Sequence, residues 1–404
     1  MTDFKRKLHK TRSVVIISPR HLPNDIRLSH KIGRSLYEMG YQTTLLCRTE
    51  SAHRYLGMKV VPAACKYQGL ARAFLNLPAL FQRTLKQKAD IHILVNPDCL
   101  PLAILLVLWG RTVIYDTHED FLHRPQLRCI IPKSLARAFG IGLAALEWLV
   151  AKISAATLVT QTDLVPRYGQ KTWLIDNAPV ITGPIIDQVE GYAKKILPQK
   201  DLTLIYAGIL TKERGPELML DIVAEINKSL PCRMHIVGRF IHEDLHEKCM
   251  RHRGWRYVDY TGQVPHAQSL AYIAASDFGL ALLEGLADIP KTSITKLYEY
   301  MQFGTPFIAS DFKVWRQSLR GTEAGLFLPP ADPEMIAGNI ISLWRNKERY
   351  NAMKEAGANY IETDFNWSSR ARLLQNIILN LETAPTAPRQ MAPNRPKESD
   401  NEHP

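Results

Sequence analysis

Short apolar runs rich in β-branched residues alternate with longer amphipathic stretches along this chain, and the alternation occurs twice. The first run, 13–18 (SVVIIS), is apolar without interruption, the pattern of a strand buried on both faces. A loop follows, then a helix predicted over about 28–39 and stopped by Gly40. Strand-like runs recur at 43–47, 91–95, 112–115 and 156–160, with helical stretches between them. The pattern breaks at Asn177-Ala178-Pro179 and Gly183-Pro184, and the polar segment up to 200 reads as a linker. It then restarts with a strand at 202–206, a helix at 215–228, a strand at 233–237 ending at Gly238, and a strand at 277–282. A helix at 295–303 and a strand at 306–309 follow. From Asp332 the chain reads as helical to about 357, and a final helix begins near Trp367 and runs to about 381.

Each series predicts a parallel sheet covered by helices on both faces, so the fold class is α/β with two Rossmann-like, doubly wound domains. The expected division is a first domain over 1–182, a linker over 183–200, a second domain over 201–362 and a last helix over 363–382. Five prolines in the 22 residues of 383–404 mark that segment as an expected disordered tail. Two such domains facing each other enclose a cleft.

Length supports the division, since 404 residues exceed one ordinary core. The six cysteines have no metal-ligand or C-x-x-C spacing, so free thiols are expected rather than a zinc site or a disulfide framework. The apolar run behind the basic N-terminus is four residues long, too short for a secretory signal. The longest apolar stretches, 100–109 and 141–151, fall below the ~20 residues that span a bilayer. A cytoplasmic protein, soluble or held peripherally on the inner membrane face, is the expectation.

The net charge of +12 is unevenly distributed: residues 1–182 hold 25 Lys and Arg against 12 Asp and Glu, whereas 183–404 hold 26 against 27. A basic first domain suits an anionic membrane face or an acidic acceptor better than nucleic acid, which is not expected as a partner.

Ligands of doubly wound sheets bind outside the carboxyl ends of the strands, so the loops there carry the candidate chemistry. The richest segment is Ile294-Thr295-Lys296-Leu297-Tyr298-Glu299-Tyr300-Met301. The free backbone N–H groups of a helix start, at Ile294, Thr295 and Lys296, favour phosphate, and Glu299 is placed to accept from both hydroxyls of a ribose. In Thr211-Lys212-Glu213-Arg214-Gly215, Arg214 can fork onto a diphosphate, with Lys212 the lesser candidate. Tyr115-Asp116-Thr117-His118-Glu119 closes a strand of the first domain, and Asp116, His118 and Glu119 are candidates for acceptor or sugar contacts, a capping loop being the bland alternative. The loop after the first strand carries Asp25 and Arg27 and lacks the G-x-G-x-x-G of a dinucleotide site; Asp25 also suits a helix cap.

These segments together resemble the GT-B glycosyltransferases of family 4, the retaining, nucleotide-sugar-dependent transferases. The resemblance runs from about Val14 to Leu381 and is carried by Asn24-Asp25-Ile26-Arg27, Glu38-Met39-Gly40-Tyr41, Tyr115 to Glu119, Thr211 to Gly215, Thr295 to Met301, Ile308-Ala309-Ser310-Asp311-Phe312 and Trp315-Arg316. It implies an acceptor domain, then a donor domain, then a last helix that returns to the first domain, with no metal and no cofactor. It further implies that Glu299 holds the donor ribose, Arg214 the diphosphate, the backbone at Ile294 to Lys296 the phosphates, and the loop Gly262-Gln263-Val264 the base, with His118 beside the transferred sugar. Two positions depart from the family pattern. Lys291 stands eight residues before Glu299 where many members have a glutamate that touches sugar hydroxyls, a role Asp288 or Glu284 can take over. Ile209 replaces the arginine that often follows the glycine at 208.

The activity expected from this likeness is transfer of a hexose-type sugar from a nucleotide-sugar to a glycan or lipid-linked glycan, in synthesis of cell-surface polysaccharide or glycoconjugate. No carboxylate pair presents itself as a nucleophile, so front-face attack is expected, the leaving phosphate oxygen taking the acceptor's proton. The alternatives are a nucleotide-sugar epimerase or hydrolase on the same architecture, and a catalytically silent nucleotide-sugar-binding scaffold. The basic stretch 71–88, with Arg72, Arg83, Lys86 and Lys88, is the sequence's candidate for membrane contact.

Overall fold

The computed structural model describes residues 12–63, 66–67, 72–117, 133–196, 201–283, 295–319 and 321–383. They form two α/β domains. The first sheet is built from β1 (Ser13–Ser18), β2 (Gln42–Cys47), β3 (His53–Tyr55), β4 (Met58–Pro62), β5 (Ile91–Val95), β6 (Thr112–Thr117), β7 (Ala156–Val159) and β8 (Thr172–Leu174), in the order β3-β4-β2-β1-β5-β6-β7-β8. Its strands are parallel except β3, which runs antiparallel to β4. The second sheet contains β9 (Leu202–Ala207), β10 (Cys232–Val237), β11 (Val258–Gly262), β12 (Phe278–Ala281), β13 (Phe307–Ser310) and β14 (Gly325–Leu328), all parallel, in the order β11-β10-β9-β12-β13-β14.

The uninterrupted apolar run of β1 is explained by its two neighbours. Val14 and Ile16 pack with Leu28 and Ile32 of the π-helix Ile26–Gly33 and its continuation α1 (Arg34–Glu38). Val15 and Ile17 point the other way, into a core shared with α2 (Leu77–Lys86), α3 (Leu100–Leu108) and α4 (Lys133–Ile153). A strand covered on both sides has no polar face to display.

The second domain repeats the logic. Ile205 and Ala207 face α5 (Pro184–Ala193), α7 (His266–Ala274) and α8 (Thr295–Gln302), while Leu204 and Tyr206 face α6 (Pro216–Ile226) and α9 (Pro333–Arg345). Helix α5 lies within the segment expected to be a linker: Ile185 and Val189, one turn apart, are buried against the second domain, so the chain is ordered well before 200.

Helix α10 (Lys347–Thr363) is followed by α11 (Trp367–Thr383), and α11 leaves the second domain to lay Trp367, Leu374, Ile377 and Ile378 on the first domain's sheet, in the cluster that holds Val14 and Ile16. The connection at Asp176 to Val180 is gripped from both sides. Gln302 donates to the Val180 carbonyl at 2.8 Å, the Trp367 amide to the Pro179 carbonyl at 2.7 Å, and Arg370 forks onto Asp176 at 2.9 Å on both oxygens.

Candidate functional site

In both sheets strand order reverses beside the first strand of the domain, between β1 and β5 and between β9 and β12. Loops from the two reversals diverge there and leave a crevice. A cavity of about 300 Å³ lies between the domains, lined from the first by Asp25, Arg27 and Lys31 and from the second by His266, Thr295 and Glu299.

Glu299 occupies the second turn of α8, and its Oε1 lies 3.2 Å from His266 Nε2 at the start of α7. Burial pushes its carboxyl up, but the His266 hydrogen bond and the charges of His266, Lys31 and Lys296 outweigh burial and hold it below the ordinary glutamate value. It is therefore an ionised acceptor facing a cavity, the state a hydroxyl ligand requires.

Two cations of the second domain, Lys296 and Arg214, act on each other at the end of β9. Gly208 has φ +137°, and a Cβ built there would stand 3.1 Å from the Lys296 ammonium. That ammonium lies 3.5 Å from the centroid of the Tyr206 ring. Burial, and after it the neighbouring Arg214, depress the Lys296 pKa well below the lysine value. Two close cations in a low-dielectric site repel each other, and an anion placed between them removes that repulsion. Arg214 ends the 3₁₀ turn Lys212–Arg214, which Gly215, at φ +60°, converts into α6. The Tyr206 hydroxyl donates to the Ile209 carbonyl at 2.8 Å and fixes the loop's start; burial lifts that phenol to about 12.

Three strand ends converge beside this pair. The Gly208 amide donates to the Val237 carbonyl and the Gly238 amide to that of Gly262, each at 2.8 Å. A Cβ on Gly238 would come within 1.8 Å of the Gly208 oxygen. Gly262, at φ +68°, ends β11 at the head of the segment expected to meet the base.

On the first domain's side, Asp25 caps the π-helix, its Oδ1 accepting from the Leu28 amide at 2.9 Å, and it also borders the cavity. Arg27 forks onto Asp116 at 3.0 and 2.6 Å and donates to the Ile175 carbonyl and to Asn177 Oδ1. Asp116, expected on the acceptor side, is wholly buried, and its carboxylate pairs with Arg27 and ties β6 to the π-helix. Arg27 is 5% exposed, and its charge is neutralised internally, so it borders the cavity without a free charge to offer.

Lys31 was not foreseen. It is buried, donates to the Asn177 carbonyl at 2.9 Å, and faces Glu299 across the cavity. Burial, then Arg27, bring its ammonium down to about 7, against the opposing pull of Glu299, Asp176 and Asp25. His266 was missed as well, because its meaning depends on Glu299, 33 residues further along.

Lys296 was expected to contribute its backbone, whereas its side chain reaches the second strand reversal. Lys212 is exposed on its turn, and Thr295 lines the cavity. His118, Glu119, Lys291, Ile294, Asp288 and Glu284 lie outside the described residues. Among the described residues no cluster of three His, Cys, Asp or Glu side chains has metal-binding geometry.

Comparison with known proteins places residues 190–360 in a match to the family described as Glycosyl transferases group 1. A phosphatidyl-myo-inositol mannosyltransferase of Mycobacterium leprae is 25% identical over 251 residues, 56% of this chain, and the match spans 59% of that relative's length. Among solved structures, the sucrose-phosphate synthase of Thermosynechococcus elongatus superposes with a TM-score of 0.72 at 15% identity, over 92% of this chain and all of that one. Anabaena HepE, solved in complex with UDP and glucose, does so with a TM-score of 0.66 at 13% identity, over 91% of this chain and all of that one. These likenesses make the fold GT-B.

Proposed function

From a GT-B fold whose second domain is a glycosyl transferases group 1 domain, we propose that this protein is a retaining glycosyltransferase. It moves a hexose-type sugar from a nucleotide-sugar to a glycan or lipid-linked glycan acceptor, in synthesis of cell-surface polysaccharide or glycoconjugate. The observation that carries the reading is the inward-facing, ionised Glu299 on the same helix as Lys296, whose ammonium sits with Arg214 over β9. One helix thus offers an acceptor for ribose hydroxyls and, one turn earlier, a cation for the diphosphate.

In the proposed reaction the bond from the anomeric carbon to the diphosphate oxygen breaks while the acceptor oxygen forms its bond on the same face. The electron pair of the broken bond stays on the diphosphate, where Arg214 and Lys296 stabilise it, and the acceptor's hydroxyl proton passes to the leaving phosphate oxygen. A closed cleft keeps water from competing with the acceptor. No cofactor is required. The lipid named in the mannosyltransferase relative, and the basic first domain, support an acceptor presented at an anionic membrane surface on the cytoplasmic side.

Titration calorimetry against a panel of nucleotide-sugars tests the donor site. One donor is expected to bind selectively, with Glu299→Ala weakening it by a factor on the order of 10 to 100, the loss of one or two charge-assisted hydrogen bonds. Absence of binding to every donor would leave no transferase; binding without turnover would mark a silent scaffold. Magnetic resonance of the product's anomeric carbon reports the stereochemistry, and inversion would overturn the front-face route.

A further inference from the structure

The outer surface of α4 has the polarity of an interior. Along this helix Ile141, Ala145, Trp148 and Lys152 recur at helical spacing on the exposed side, with Phe139 and Leu149 flanking them. Trp148 is 49% and Ile141 53% exposed. The opposite side, with Val150 and the partly buried Leu143 and Leu146, packs against the sheet, so the helix is apolar nearly all round. Beside it α3, which contains no polar residue, ends in Leu108 and Trp109, 77% and 63% exposed. Helices α2, α3 and α4 cover the same face of the first sheet, so these side chains belong to one surface.

Charge distinguishes what that surface meets. In α2, α3 and α4 the single carboxylate is Glu147, and it is wholly buried. The cations are Arg83 and Lys86 on α2 and, among the described side chains, Arg137 and Lys152 on α4. Lys152 stands 5.4 Å from the centroid of the Trp148 ring. Tryptophan with lysine at the edge of an apolar stripe matches the boundary between lipid headgroups and acyl chains. A second copy of this chain would bring cations against cations across a two-fold axis, whereas anionic lipid supplies their complement.

We propose that this face, centred on the outer stripe of α4, is a docking surface for an anionic lipid bilayer. The inference deepens the proposed membrane-presented acceptor by centring the contact on α4 and the end of α3, with Arg83 and Lys86 of the basic stretch 71–88 at its margin. Helix α4 crosses from the end of β6 to the start of β7, so its stripe extends along the domain from the carboxyl edge of the sheet, the edge that borders the cleft, to the opposite edge. A bilayer against it lies alongside the cleft without covering it.

Flotation of the full chain with phosphatidylcholine vesicles, with and without phosphatidylglycerol, tests this. Binding is expected to the mixed vesicles, and Trp148→Glu with Leu149→Glu is expected to reduce partitioning roughly tenfold or more, with the thermal midpoint unchanged because both side chains are exposed. The emission of Trp148, read as the difference between wild type and Trp148→Phe, is expected to shift to shorter wavelength on binding. Equal partitioning of the double variant would overturn the assignment to α4. Absence of vesicle binding, with a wild-type dimer that the double variant dissociates, would overturn it in favour of a self-association face. Donor affinity, measured calorimetrically on the same variant, is expected to be unchanged, so failure of the donor reading and failure of the membrane face register in different experiments.

Discussion

Glu147 shows how a single residue's surroundings set its behaviour. Its Oε1 accepts from the Tyr115 hydroxyl at 2.7 Å and from Thr117 at 3.0 Å, and Oε2 from Tyr168 at 3.3 Å. Burial nevertheless dominates and lifts its pKa from 4.5 to about 6. The folded state therefore holds the proton more tightly than the unfolded one, so this contribution to stability is complete below pH 4.5 and is lost as pH rises through 6. A shift of this size corresponds to about 2 kcal/mol. Glu147→Gln, which stays neutral, is expected to flatten the pH dependence of denaturant-measured stability between those values. At this scale the sequence was partly legible. Glu299 and Arg214 stood out by chemistry and spacing, and Asp25 as a cap; the partners that give charges their meaning did not. That Asp116 is internally neutralised by Arg27, 89 positions away, or that His266 orients Glu299, follows from contacts no local pattern encodes.

Elements were legible in proportion to their burial. Strands β1, β5 and β9, central and covered on both faces, are mainly apolar runs, with His92 in β5 and Thr203 in β9 the buried polar exceptions inside them. The strands that escaped detection, β3, β4, β8, β11 and β14, lie on or next to sheet edges, where half-exposed positions dilute the apolar signal. Helix α5 was hidden by Gly183 and Pro184, which signal a break although proline also suits a first helical turn. The glycines at the strand ends carry a sharper consequence. Gly238→Ala adds a methyl where the Gly208 carbonyl already stands, at φ +148°. The ends of β9 and β10 must then separate, at a cost on the order of 3 kcal/mol. Loss of donor affinity beyond that explained by the unfolded fraction, seen by calorimetry below the melting range, is the expected companion.

For the whole molecule, the apolar pattern predicted two parallel sheets, but it did not state how they are joined. The chain passes between the domains twice, once through 176–180 and once ahead of Trp367, and the two crossings touch through the Trp367 amide and the Pro179 carbonyl. Trp367 is 5% exposed and its indole donates to Ser35 Oγ at 2.8 Å, so Trp367→Ala is expected to cost about 3–5 kcal/mol. Because α11 packs on the first sheet, the loss should appear in the first domain's unfolding step, resolved by hydrogen exchange at β1 and β5. A matching loss confined to the second domain would contradict that packing.

The return of α11 also sets an order on biosynthesis. A chain emerging from the ribosome completes all eight strands of its first sheet by residue 174, yet the apolar face containing Val14 and Ile16, covered until then by the π-helix and α1 alone, lacks the rest of its cover until 367–378 have been made. The second domain, enclosed by its own helices from α5 to α10, is finished earlier. Of the two domains the earlier to be translated is thus the later to be sealed, and for nearly two hundred residues of synthesis the part of its sheet that α11 will cover stays exposed.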